Sequence, residues 1–352
     1  MLSKDISDSV LTVGCAFHPP RGGVAQVLYN YEHYVFSDFK YIVNSGGGNK
    51  LHKLAIAING LRKMKHTLSV DKKIKIVHIH TASYNDFWRS TYYLNLAKRC
   101  GKKVVLHIHG GGFKDFYATN PTKIARELDK CDTLVVLSAS WKKWFEEIMP
   151  EKKIEVVENI VPKPDKVDRE KADNRLHLLF LGLITQQKGI FDLLEVLAEN
   201  KAAFNGKLCL HIGGNGEVEK LKSLIEEKQL SGMVVFEGWA DEEKKRHLFS
   251  LIDAFILPSY TEGVPISILE AMSYGLPILS TKVGGIPEIV SDNENGFLFD
   301  AGDKEAMRKI LIAGLEDSEK LSLMGKSASN YIENHFPDAV SARLSSIYKQ
   351  QK

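Results

Sequence analysis

The chain has 352 residues, 44% of them apolar and 26% charged, with a formal net charge of +3. At roughly 100–200 residues per domain this length makes two domains, and the apolar content excludes a disordered chain. The four cysteines, Cys15, Cys100, Cys131 and Cys209, stand far apart with no C-x-x-C pair, which argues against a disulfide scaffold or a zinc site and for reduced thiols.

The start, MLSKDISDSVLTVGCAF, contains acids and lacks the charged opening and long apolar run of a secretory signal. No stretch reaches the ~18 apolar residues of a membrane span. A cytoplasmic protein is therefore expected. From there the chain alternates short apolar runs with helix-length segments. Val10–Phe17, Tyr41–Ser45, Ile74–His80, Lys103–Gly110, Thr133–Ser138 and Ile154–Asn159 read as buried parallel strands. His52–Lys65 and Tyr84–Arg99 read as helices between them. Residues 1–162 thus form a first doubly wound α/β domain.

Residues 163–175 lie in the charged, proline-bearing run VPKPDKVDREKADNR and read as a linker. The rhythm restarts over 176–335, with strands in LHLLFLGL, KLCLHIGG, VVFEGW, AFILPS, PILST and GFLFD, and helices from about Phe191 and Glu217. The tail from Lys304 is helical in pattern, and residues 336–352 suit a helix that packs back on the first domain. Ligands of open α/β sheets bind beyond the C-terminal ends of the strands. Two such domains facing each other would place those ends along a cleft.

The charge is uneven. Residues 1–165 hold 25 Lys/Arg and 16 Asp/Glu, against 22 and 28 in the remainder. The first half is the one to meet an anionic partner. Its basic residues include Lys53, Arg62, Lys63, Lys65, Lys72, Lys73, Lys102 and Lys103. They read as a solvated face or as a peripheral contact with anionic lipid. With no nucleic-acid module in the sequence and a pI near 8.4, nucleic acid is not expected.

The densest chemical signal is YTEGVPISILEAMSYGLP, residues 260–277. A strand ends, Thr261–Val264 turns, and Pro265 suits the first position of a helix that runs to about Tyr274. The N–H groups of such a helix start attract anions, and Gly263 allows close backbone approach. Glu262 stands just before this end, and Glu270 stands in the second turn. A phosphate at Gly263, Val264, Pro265 and Ile266, flanked by two carboxylates that accept hydroxyl hydrogens, describes a sugar nucleotide. The plainer reading is two solvated helix charges.

The run PSYTEGVPISILEAMSYGLPILSTKVGGIPEIV resembles the signature of retaining GT-B glycosyltransferases of family 4, the glycosyl transferases group 1, of the bacterial polysaccharide type, with their E-x7-E pair at Glu262 and Glu270. The likeness extends over nearly the whole chain, through PPRGGVAQ, HIHTASYNDFWRS, HIHGGGF, FLGLITQQKGIFDLLE and NGFLFDAGD. It implies a GT-B fold of two Rossmann-like domains facing across a cleft, with the acceptor on the first and the nucleotide sugar on the second. Lys188 would neutralise the leaving diphosphate. Gly182 and Gly214 would lie in tight turns near the donor, and Gly22 and Gly23 near its distal phosphate and the acceptor. Trp239 would stack on the base or sit in the core. His109 would lie beside the donor sugar.

The family's usual arginine after Gly182 is absent. Leu183 stands there, and Arg21 is one candidate substitute. No D-x-D acidic motif occurs in a suitable loop, and His107 with His109 lacks a third ligand of defined spacing, so no metal and no cofactor are expected. The resemblance implies a retaining hexosyltransferase. It would move sugar from a nucleoside-diphosphate donor to a hydroxyl of a glycan acceptor, lipid-linked on the basic-surface reading, at the inner face of the plasma membrane. A sugar-nucleotide epimerase or phosphorylase, or a non-catalytic nucleotide-sugar-binding subunit, are the alternatives.

Overall fold

The computed structural model describes residues 1–20, 22–164, 169 and 173–351. The chain divides into two compact units, Met1–Pro162 with Asn334–Lys352, and Lys163–Glu333. Most of the stretch read as a linker lies outside the described residues. Its Arg169 donates to the carbonyl of Gly275 at 2.6 Å within the second unit.

The first unit is built on six parallel strands, β1 (Val10–Cys15), β2 (Tyr41–Ser45), β3 (Ile76–Thr81), β4 (Lys103–Ile108), β5 (Thr133–Val136) and β6 (Ile154–Val156). They lie in the order β2-β1-β3-β4-β5-β6. β3 is buried along its whole length, because helices cover both faces of a parallel sheet. Its core includes Leu11, Val77, Phe87, Phe113, Phe116 and Phe145. Burying each such side chain contributes about 1.5–3 kcal/mol. The segment expected to be a helix over His52–Lys65 is longer, Lys50–Val70, and is capped by the Asn49 side chain. The Pro337–Lys349 helix belongs to this unit, and its Tyr348 hydroxyl lies 2.6 Å from His78 Nδ1.

The second unit has β7 (Leu176–Leu181), β8 (Leu208–Gly213), β9 (Val234–Gly238), β10 (Ala254–Leu257), β11 (Ile278–Thr281) and β12 (Gly296–Phe299). Their order is β12-β11-β10-β7-β8-β9, again all parallel. This is the Rossmann order, with the first and fourth strands of the unit side by side. Among the described residues no helix is long and apolar enough to cross a membrane.

Candidate functional site

In the second unit the strand order reverses between β7 and β10, and at such a switch point the following loops diverge and leave room for a ligand. The loops concerned are residues 182–189 and 258–265. They are fastened to each other. Tyr260 N donates to the Gln187 carbonyl at 2.8 Å, and the Tyr260 hydroxyl donates to Asp192 Oδ2 at 2.7 Å. Gln186 Nε2 reaches the other oxygen of Asp192 at 3.1 Å. Lys188 Nζ lies 2.5 Å from Glu262 Oε1, which also accepts from Ser259 Oγ at 2.7 Å.

Gly189, at φ +70°, allows this closeness, since a Cβ there would stand 1.9 Å from the Pro258 carbonyl oxygen, and two further glycines close the neighbouring loops on them. Gly284 has φ +56°, and a Cβ there would stand 1.9 Å from the Glu262 carbonyl oxygen. Its neighbour Gly285 donates to the Gly263 carbonyl at 2.7 Å. Gly214, at φ +151°, would place a Cβ 1.9 Å from the Gly182 oxygen, so the two glycine loops pack backbone to backbone.

The helix after β10 spans Ile266–Ser273. Pro265 is its N-cap, at φ −68° and ψ 125°, and not its first helical residue. An extended ψ places the ring one position earlier than expected, and no side chain caps the helix start. The start is also more enclosed than expected. Val264, Pro265 and Ile266 are buried, and Gly263 and Ser267 are half-buried. What faces outward is backbone at Gly263 and the first turn at Ser267.

Neither glutamate is a solvated helix charge, since each is only 8% exposed. Glu262 is spoken for by Lys188 and Ser259. Glu270 Oε1 lies 2.6 Å from Lys245 Nζ, which also meets Glu242 at 2.7 Å. Burial pushes the Glu270 carboxyl up, and the Lys245 charge pulls against it. Burial alone would lower the Lys245 ammonium, but the Glu270 and Glu242 carboxylates outweigh it and hold it raised. Lys245 was not singled out from the sequence. The signal was there, because Leu248 and Phe249 follow it by three and four residues and are buried, which turns Lys245 inward.

Trp239 follows β9 and is 51% exposed, which removes the core reading. Leu183 is 48% exposed, an aliphatic side chain where a cation was expected. Arg21 lies outside the described residues.

In the first unit Gly22 adopts φ +101° as N-cap of the Gly23–Asn30 helix, and a Cβ on Gly22 or Gly23 would meet nothing within 4 Å. His109 stands just past β4 and is half-buried, with Nε2 2.9 Å from His80 Nδ1. The partners of His107 are not His109 but two histidines of the neighbouring strand. His80 is paired with His107 in register, and His78, His80 and His107 offer ligating atoms within 4.8 Å of one another. Spacing along one strand could not show this.

The family model for glycosyl transferases group 1 matches residues 163–331, and that for Glycosyltransferase Family 4 matches residues 22–163. An uncharacterized glycosyltransferase of Methanocaldococcus jannaschii is 27% identical over 260 residues, 68% of this chain and 66% of that protein. The putative colanic acid biosynthesis glycosyltransferase WcaL of Escherichia coli is 31% identical over 176 residues, 47% of this chain and 42% of that protein. The chain therefore spans less than two thirds of either relative. The crystal structure of Anabaena HepE in complex with UDP-glucose superposes with a TM-score of 0.75 at 16% identity, covering 97% of this chain and 99% of that one. That likeness carries the fold. With both family models matched in succession, the chain belongs to the group 1, family 4 glycosyltransferases and has their two-domain, Rossmann-like GT-B fold.

Proposed function

We propose that the protein transfers a hexosyl group, with retention, from a nucleoside-diphosphate sugar to a hydroxyl of a glycan acceptor in polysaccharide or cell-surface glycan synthesis. The observation that carries this reading is the joined pair of loops at the β7–β10 switch point. It sets one cation, one carboxylate and an uncapped helix start in a single rigid frame. The relative WcaL, named for colanic acid biosynthesis, supports the polysaccharide setting. The neighbour crystallised with UDP-glucose supports the donor class.

Breaking a sugar–phosphate bond moves negative charge onto the leaving diphosphate. Stabilising that charge is the main task of the site. Lys188 and the N–H groups of Gly263, Val264 and Ile266 are the groups assigned to it, Pro265 having none. Glu262 holds the ammonium in place through its 2.5 Å contact and is assigned a sugar hydroxyl. Glu270, steadied by Lys245, is assigned the ribose. Trp239 is assigned the base, Gly182 and Gly214 the tight turns beside the donor, and Gly22, Gly23 and His109 the sugar and acceptor side. The transfer step takes no metal in this scheme.

The test is release of free nucleoside diphosphate from UDP-, GDP- and ADP-sugars, with and without a lipid-linked glycan acceptor. Release that rises at least tenfold with acceptor fits transfer. Donor binding with no turnover under any acceptor fits a non-catalytic subunit instead. Conversion of the donor sugar without release fits an epimerase.

A further inference from the structure

β7 and β8 carry a second cluster, on one face of the sheet of the second unit. His177 is paired in register with Cys209, and Leu179 with His211. Side chains repeat every second residue along a strand, so His177, Cys209 and His211 share one face. All three are buried, at 3%, 2% and 9% exposure. Each offers one ligating atom, and these atoms lie within 4.8 Å of one another.

The outer ring nitrogens are taken. His177 Nε2 lies 2.9 Å from Asp173 Oδ1, and His211 Nδ1 lies 2.9 Å from Glu237 Oε1. A carboxylate only accepts, so each outer nitrogen donates its hydrogen. In a neutral ring that leaves the inner nitrogen as an acceptor. The two inner nitrogens, His177 Nδ1 and His211 Nε2, face each other at 3.1 Å. Two lone pairs at that distance require something positive between or beside them: a shared proton, the Cys209 S–H hydrogen, or a metal ion.

Three features favour the metal. The Cys209 sulfur stands 3.6 Å from His211 Nε2. A tetrahedral ion with bonds of about 2.05 Å to nitrogen and 2.3 Å to sulfur sets its ligands ~3.4 Å apart (nitrogen to nitrogen) and ~3.6 Å apart (nitrogen to sulfur). The carboxylate-to-histidine contacts on the far side are those that orient metal-bound imidazoles. Finally, a thiolate with Asp173 and Glu237 nearby offsets a divalent charge, which the all-histidine cluster of the first unit cannot do.

We infer that His177, Cys209 and His211 form a site for a tetrahedral divalent ion of the zinc class, with water completing the fourth position. Uptake releases the thiol proton, so that Cys–SH and M²⁺ give a Cys–S–M⁺ bond and H⁺. The site joins β7 and β8 to Glu237 of β9. Glu237 is also 3.1 Å from Lys244, the neighbour of the lysine that neutralises Glu270. The ion would therefore brace the Glu242–Leu251 helix from the sheet side.

Cobalt(II) tests this on the full chain after removal of metals by chelator. The expected result is a near-ultraviolet thiolate-to-cobalt charge-transfer band that saturates at one ion per chain. The band should disappear in Cys209→Ser, persist in His107→Asn, and bleach when zinc is added. Glu237→Gln should weaken cobalt binding about 10–100-fold while keeping the band at saturation. This gives a second readout should Cys209→Ser fold poorly. The absence of a thiolate band in the parent, or an unchanged band in Cys209→Ser, overturns the assignment. So does a cobalt spectrum that vanishes only in His107→Asn.

Discussion

Glu270 and Lys245 are both buried and 2.6 Å apart. The energetics of such a pair are asymmetric. Forming it gains little over an apolar pair, whereas removing one partner strands the other charge away from water. Glu270→Gln and Lys245→Met should each cost about 3–5 kcal/mol, and the double variant distinctly less than their sum. Urea denaturation of the four proteins measures the coupling. Additive costs would show that the two side chains do not depend on each other, and Glu270 would then be free for ligand alone. Lys188 and Glu262 differ in that the lysine end is partly open to solvent. Their contact works as a positioning device more than as a source of stability.

At the scale of elements, β3 and β4 bury histidines that have little to hold a proton. Burial lowers His78 to about 3, and together with His109 it also lowers His80 and His107. His335, bonded to the Asn159 carbonyl, is lowered to about 4. These bases titrate near 6.5 when unfolded, so below that pH the unfolded chain binds more protons than the folded one. Their contribution is complete above pH 6.5 and is lost as pH falls from about 6.5 towards 4 and 3. His78 and His335 each cost about 2 kcal/mol by pH 5. Tryptophan fluorescence reports mainly on the first unit, which holds Trp88, Trp141 and Trp144. The urea midpoint it follows should fall steeply between about pH 6.5 and 4.5, and less steeply in His107→Gln. A midpoint flat over that range would contradict burial of these rings.

All twelve strands were legible in the sequence because even the edge strands β2 and β9, which expose Val43 and Val235, are short apolar runs with β-branched residues. The Rossmann-like pattern followed from their alternation with helices. The E-x7-E pair and the glycine loops were legible for the same local reason, since turns and helix starts have their own residue signatures. Lys245 opposite Glu270, His78 and His80 beside His107, and Cys209 between His177 and His211 were not. Each joins residues far apart in the chain through strand register or helix facing, which a single sequence does not state. Pro265 was misplaced by one position, because a proline fits both the cap and the first turn.

For the whole molecule, we propose that the Lys50–Val70 helix brings the basic first half to an anionic membrane surface. Leu51, Leu54 and Ile58 are exposed along one side of it, with Lys53, Arg62, Lys63 and Lys65 exposed nearby. An apolar stripe flanked by cations suits an anionic lipid surface. Binding to vesicles containing phosphatidylglycerol should weaken as salt rises, and Lys53→Ala should weaken it about fivefold, near 1 kcal/mol per basic residue. Equal binding to neutral vesicles, or none at low salt, would remove the membrane from the proposal.

The central claim is that Lys188, held by Glu262 over an uncapped helix start, receives the diphosphate of an activated sugar. Thermal unfolding with a panel of UDP-, GDP- and ADP-sugars measures it most directly. At about a hundredfold excess over the dissociation constant, the matching donor should raise the parent's midpoint by about 4 °C. Lys188→Ala should unfold within about 2 °C of the parent without donor and lose most of that rise. A Lys188→Ala protein stabilised by donor as strongly as the parent would contradict the account.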